Sequence, residues 1–504
     1  MSWKTWVLLG LAFAAGFSTL FSIATRPPAP PEHQVFINGE VLTMDAENRV
    51  AQALSVRSDR IEMLGTNEQI MALVSDQTEV IDLAGRTLMP GFIDAHGHFP
   101  GSALNTVAVD LNSPPIGGMT DIPGLLDALR VRAATLPAGE WVAGFGYDDT
   151  LLAEGRHPTR AELDSVSSEH PVAILHISAH MVVANSAALE QAGIGADTPD
   201  PEGGVIAREP GSRTPSGLLE ETARLPVMAQ MLDLGPLDFL GMVSAAVREY
   251  AEYGVTTAQA GGVAPEMARG FKLASFLGLL PLRLVVFPMQ DDFGDAILAG
   301  EFDPEDYSSK QIQVGPVKIV ADGSIQGFTG YLTRPYHTPF QSDADYRGYP
   351  AVLRERLFEQ INALHSAGYQ IAVHGNGDAS IDDILDAFEA AQAAHPVADP
   401  RLILIHAQMA REDQLERMAK LGVTPSFFAA HTWFWGDRHR DLFWGQTGPR
   451  RSARLPGRKR RGCASLRTWI HRLRLCAPYK RCGALCTGKP WAARYWGQNR
   501  GLIL

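Results

Sequence analysis

Two histidines stand one residue apart in the stretch Pro90 to Gly101, PGFIDAHGHFPG, at the end of an apolar run and between glycines. Side chains of an extended chain alternate between two faces, so His96 and His98 are expected to point the same way. Two imidazoles on one face at a strand's end can grip one metal ion. A bare pair of this kind serves equally as two loop histidines with ordinary hydrogen bonds. Further polar residues close apolar runs along the chain: Lys318 and Asp322 in VKIVADG, His374 and Asp378 in AVHGNGD, His406 in IHAQ, and His431 at the end of GVTPSFFAAH. Lys318 lies among apolar residues, where an ammonium without a partner is costly; a salt-bridged lysine is the plainer account.

The elements that must position these residues follow from the apolar pattern. From Leu88 onward, apolar strands alternate with helices, which favours a parallel sheet. Candidate strands are LMPGFIDAH, WVAGFGY from Trp141, PVAILHIS from Pro171, GVTTAQAGG from Gly254, LRLVVFPM from Leu282, VGPVKIVADG, QIAVHGNGD, LILIHAQ and GVTPSFFAAH. The fold class expected is α/β, a (β/α)8 barrel, whose strand C-terminal ends form the active-site face. Before it, Gln34 to Leu83 alternates apolar and polar positions, with turns at Asn38-Gly39 and Ser58-Asp59-Arg60, and reads as a small β domain.

The ends of the chain differ from the middle. Lys4 precedes an apolar run from Trp6 to about Ile23, then a small-x-small site at Ser22-Ile23-Ala24 and a proline-rich linker. This fits a signal peptide, or a membrane anchor over residues 5–24, and so an exported body. At the other end, no Asp or Glu follows Asp441. Twelve Arg, three Lys and all four cysteines (Cys463, Cys476, Cys482, Cys486) crowd the remainder, although the whole chain of 504 residues carries a net charge of −12. Four segments result: 1–33, leader or anchor plus linker; 34–88, the N-terminal half of the small β domain; 89–445, the barrel; and 446–504, a basic tail.

Several motifs together resemble the amidohydrolase superfamily of metal-dependent hydrolases. IDLAGRTLMPGFIDAHGH is similar to its opening, and WVAGFGYDD, RHPTRAELDSV, AHMVVANSAAL, VKIVADGSIQGFTGYL, AVHGNGD and IHAQ resemble its YtcJ-like branch, amidohydrolase family 3, over roughly residues 34–445. The resemblance implies a (β/α)8 barrel with a small β-sandwich domain and hydrolysis of an amide or cyclic amide C–N bond by metal-activated water. It implies one or two ions of Zn²⁺ or another divalent metal. His96 and His98 are the implied ligands of the first ion, His374 and His406 of the second, and a carboxylated Lys318 the bridge. His180 and His431 are candidate substrate contacts, with Trp433 and Trp435 as pocket aromatics. Glu220 and Glu221 read as one face of a helix, and Asp322 and Asp378 as holders of loops.

The resemblance also implies an aspartate at the end of an eighth strand. The chain beyond Asp441 has no acidic residue, so no catalytic carboxylate can be assigned there, and barrel and sandwich are both expected to be incomplete. Three accounts of the tail stand: a nucleic-acid- or lipid-binding segment, a zinc module whose cysteine spacing lacks paired CxxC knuckles, or out-of-frame translation of a GC-rich region, which its composition fits best. The functional alternatives to a small-molecule amidohydrolase are accordingly a truncated, impaired relative, or a membrane-anchored protein with a nucleic-acid-binding tail.

Overall fold

The computed structural model describes residues 31–428, 430–444 and 502–503. The expected leader, the cysteines and most of the basic tail lie outside the described residues, as does the side chain of Trp433. No helix among the described residues is long and apolar enough to cross a membrane.

The centre of the molecule is an arc of parallel strands, each followed by a helix. The first is Phe92–Ile93, the second Val255–Val263, the third Arg283–Pro288. The fourth is split at Gly315-Pro316 into Ile312–Val314 and Val317–Val320, because Pro316 has no N–H to donate. The fifth is Ile371–Gly375, the sixth Ile403–His406, the seventh Thr424–Ser426. Pairing runs in this order, and a bridge from Met289 to Lys318 joins the two halves. The register sets Val320 beside His374, and Gly375 beside His406.

Side-chain alternation divides these strands into two faces. Val317, Ile319, Ile371, Val373, Leu402 and Leu404 share one large core with the outer helices. The intervening residues point inward, where Phe287, Ala372 and Ile405 form a small apolar floor. Lys318 and His374 belong to this inner set. Prolines at the first turn open the helices Pro236–Glu252 and Pro265–Phe276, where the missing N–H costs nothing.

Among the described residues the arc does not close. The first strand pairs only with the second, and the seventh only with the sixth. Ile93 is accordingly 69 % exposed and Phe92 38 %. Two of the nine expected barrel strands stand elsewhere: Val142–Tyr147 and Val172–His176 belong to a separate six-stranded sheet. That sheet is inserted between the first strand and its helix, with its own cores on both faces. Hydrophobic alternation could not reveal this, since strands of either sheet read alike.

The amino-terminal region forms two four-stranded sheets that share Phe36, Val41, Leu54, Leu83 and Leu88 in one core. The expected turns at Asn38 and Ser58 are present, both at positive φ. Leu502 and Ile503 pair in parallel with Leu88 and Met89, so these two tail residues form a strand where none was expected.

Candidate metal centre

His96 and His98 do not sit on a strand. The first strand ends at Ile93, and both residues lie in the turn that follows. The Asp94 carboxylate shapes that turn by accepting the His96 N–H (3.2 Å) and the Tyr250 hydroxyl (3.1 Å). Gly97 is required there, since a Cβ would stand 2.1 Å from Asp94 Oδ2. The turn carries His96 across the open side of the arc. Its Nδ1 is 3.0 Å from Ser426 Oγ of the seventh strand, and its ring stacks on Phe428 and lies 4.7 Å from that of His406. His98 bridges to Ala260 on the second strand.

Lys318 stands inside its strand, not at the end, and is buried. It makes no hydrogen bond or ion pair with any described residue, which excludes the salt-bridged alternative among them. Burial brings its pKa down to about 7. The His374 ring lies 4.6 Å from that of His406 and 5.0 Å from that of His180. Its Nε2 is 3.2 Å from the Gly323 carbonyl oxygen, a contact that leaves Nδ1 for another partner. His406 is held at φ 69° and the next residue, Ala407, at φ 47°, a strained pair of left-handed residues at the end of the sixth strand. The Nδ1 of His406 is buried without a hydrogen-bond partner.

Burial, aided by neighbouring positive groups, keeps these imidazoles neutral. It lowers His96 to about 4 and His98 to about 3, and holds His374 and His406 well below the usual histidine range. His98 is nonetheless an exposed residue as a whole.

Two further groups reach the cluster from the inserted sheet. The His180 Nδ1 is 2.7 Å from Glu221 Oε2. Glu221 ends the strand Pro215–Glu221, at φ 49°, with its second carboxylate oxygen buried and unpartnered. Glu220, beside it, accepts the Tyr349 hydroxyl, and burial pushes its pKa up to about 7. The expectation that Glu220 and Glu221 form a helix face is thus wrong: both are buried at a strand end, and adjacent acids in a short segment carry no periodicity to show it. His431 is likewise not at a strand end. The seventh strand stops at Ser426, and His431 lies in the helix Ala430–Arg438, its ring 5.1 Å from His406 and 5.8 Å from Trp435.

Asp322 and Asp378 hold loops. Asp322 accepts the backbone N–H groups of Tyr331, Asn376 and Gly377, and Asp378 accepts from Thr333 and Arg411.

Asp148, Asp149 and His176, at the ends of two strands of the inserted sheet, place one ligand atom each within 4.8 Å of one another and could hold a divalent cation. The only sequence sign was GYDD after an apolar run. Their donors are largely occupied, however. Asp148 accepts from Thr150, Trp435 and Arg438, and Asp149 from His176, whose other nitrogen meets Ser178. A guanidinium 2.8 Å from Asp148 opposes a second cation there. The inner cluster has the reverse character: neutral imidazoles, an orphaned His406 nitrogen and an unpaired lysine. Its donor set fits a divalent metal better.

The amidohydrolase family profile matches residues 79–469. The chain belongs to the amidohydrolase family. The match runs past residue 446, beyond the last of the motifs that mark the resemblance. This amidohydrolase is similar to the N-substituted formamide deformylase of Arthrobacter pascens, at 31% identity over 403 residues, 77% of this chain and 71% of that protein. It is similar at 28% identity over 410 residues to the putative amidohydrolase YtcJ of Bacillus subtilis (strain 168), covering 79% of this chain and 73% of the other. An uncharacterized metal-dependent hydrolase from Pyrococcus horikoshii OT3 shares the fold, with a TM-score of 0.64 and 23% identity over 84% of this chain and 80% of its own. The protein is a hydrolase acting on carbon–nitrogen bonds.

Proposed function

We propose that this amidohydrolase cleaves the C–N bond of a small amide, an N-substituted formamide being the first candidate, on the inner face of the arc. The observation that carries the reading is that the His96, His406 and His374 rings adjoin one another at 4.7 and 4.6 Å, with the His406 Nδ1 orphaned and Lys318, without a partner among the described residues, near enough to disfavour the charge of all four imidazoles. The four histidines would hold one or two divalent ions. Zinc suits imidazole with carboxylate-type oxygen, and Lys318, with a pKa lowered to about 7 and so a substantial neutral fraction at pH 7, would be able to add carbon dioxide and supply that oxygen as a carbamate. A bound ion supplies a water acidic enough to attack at neutral pH and polarises the scissile carbonyl. The chain's own groups then orient the substrate. Glu221 fixes the ring of His180, whose Nε2 is left to hydrogen-bond the amide, and His431 with Trp435 forms the facing wall.

The finer fold that goes with this reading is a (β/α)8 barrel, seven of whose strands lie among the described residues, with the two amino-terminal sheets as half of a β-sandwich. Residues 1–33 would direct export. The relative named for N-substituted formamides supplies the assay: formate release from N-substituted formamides by the full chain, with metal content measured by mass spectrometry. Less than about one divalent ion per chain would overturn the metal centre.

A second reading, an impaired relative, is favoured by the first strand, whose outer edge is unpaired among the described residues and whose Phe92 and Ile93 are exposed. Metal-dependent turnover by the 504-residue chain excludes it; a full metal complement without turnover on any amide tried supports it.

A further inference from the structure

The helix Ala430–Arg438 follows the seventh strand directly, and no strand follows it among the described residues to hold it against the arc. It nevertheless carries His431 to the cluster. Its attachments are therefore informative. At its far end, the His439 Nε2 lies 3.1 Å from Gln408 Nε2, beyond the sixth strand, and Phe443 joins a core with Ile325 and Tyr336. Its middle is held from a different part of the molecule. Asp148 Oδ2 accepts both the Trp435 indole N–H (2.9 Å) and an Arg438 N–H (2.8 Å), across separations of 287 and 290 residues. The other nitrogen of the Arg438 fork returns to the helix at the Phe434 carbonyl oxygen (3.0 Å). Asp148 itself is well anchored: it is 4 % exposed, directly follows the strand Val142–Tyr147 of the inserted sheet, and its Oδ1 accepts the Thr150 N–H (3.0 Å) and hydroxyl (2.6 Å).

We infer that Asp148 is a positioning residue, which clamps the helix Ala430–Arg438 to the inserted sheet and so fixes His431 beside His406. Trp435 explains why the clamp reaches the site. Its indole is tied to Asp148 on one side while its ring meets the His431 ring edge to face, at 5.8 Å. A buried carboxylate with two donors from one helix suits this task, since charge-assisted bonds are short and directional. The clamp also gives the inserted sheet a second link to the site, beside the one through His180 and Glu221. The inference rests on the proposed role of His431 for its catalytic consequence, but not for the clamp itself.

Two measurements separate the clamp from that role. Hydrogen–deuterium exchange on the full-length, metal-loaded protein reads the helix without any substrate. Asp148→Ala should raise exchange of the backbone amides of residues 430–444 by about tenfold or more, while the parent's metal content is kept. Trp435→Phe removes one of the two bonds with little change of volume and should give a smaller rise in the same segment, which provides a test if Asp148→Ala fails to fold. Unchanged exchange over 430–444 in either folded variant overturns the inference, as does metal loss equal to that of a ligand variant. The second measurement is kcat/KM on an N-substituted formamide. Asp148→Ala should lower it, and adding the substitution to His431→Ala should lower it no further, because both act through one group. Additive losses overturn the link to His431. Absence of turnover by the parent overturns the proposed function and leaves the exchange result to decide the clamp.

Discussion

The molecule holds two buried clusters rich in metal-ligating side chains, and they are built on opposite terms. In the inserted sheet, Asp148, Asp149 and His176 bond to one another's neighbours, to Thr150, Ser178 and Trp435, and to the cation of Arg438. On the inner face of the arc, imidazoles meet imidazoles edge to face or tilted at 4.6–5.1 Å, beside a lysine with no partner among the described residues. Compactness alone would choose the first as the metal site. Satisfaction favours the second, the cluster of the proposed metal centre. A buried polar group left without a partner costs free energy, so a set of them in one place marks where something else binds. The satisfied cluster is a structural joint.

The comparison breaks most readily at His374. Its replacement by Ala should remove bound metal and lower turnover by roughly a hundredfold or more, whereas His176→Ala should leave metal content unchanged. Metal analysis of the two variants decides; loss from His176→Ala with retention in His374→Ala would reverse the assignment. Lys318 gives the next largest effect. In the metal-free protein its pKa is lowered to about 7 from the ordinary lysine value, so the unfolded chain binds the extra proton between pH 7 and about 10.5. Stability should therefore rise with pH across that window, by an amount on the order of 5 kcal/mol. Below pH 7 both states are protonated and that gain is absent. Lys318→Met should lack the rise, as followed by urea unfolding at several pH values. A parallel rise in the variant would show that Lys318 is not its source.

The joint titrates in the acid range. Burial opposes ionisation of Asp149, but His157 and His176 outweigh it and hold the carboxyl at about 2. Its contribution, about 2 kcal/mol, is present above pH 4 and is lost as pH falls from there through 2. Asp149→Asn should be less stable than the parent at pH 6 and should lose less on acidification. Equal acid sensitivity of the two chains would remove Asp149 from the account. The smallest effect is expected at Ser426, which only orients His96 through its Nδ1. Ser426→Ala should weaken metal binding by about tenfold at most, read by chelator competition.

His96, His98, Lys318, His374 and His406 were legible as candidates because each interrupts an apolar stretch at a place where a polar side chain needs a reason. Their grouping came from a resemblance of motifs. The sequence by itself determined the alternation that builds the arc: in VKIV, two apolar residues face the outer helices and Lys318 must face inward. It also determined that no carboxylate follows Asp441. Tertiary structure decided the rest. It placed WVAGFGY and PVAILHIS in a second sheet, because strand periodicity does not name the partner strand. It set His96 and His98 on a turn shaped by Asp94 and Gly97, and buried Glu221 against His180 from 41 residues away. It brought Asp148 to Trp435 and Arg438, across nearly 290 residues. Periodicity along a chain reports which face a side chain takes; which groups then meet depends on how separate elements pack, and only the folded chain contains that information.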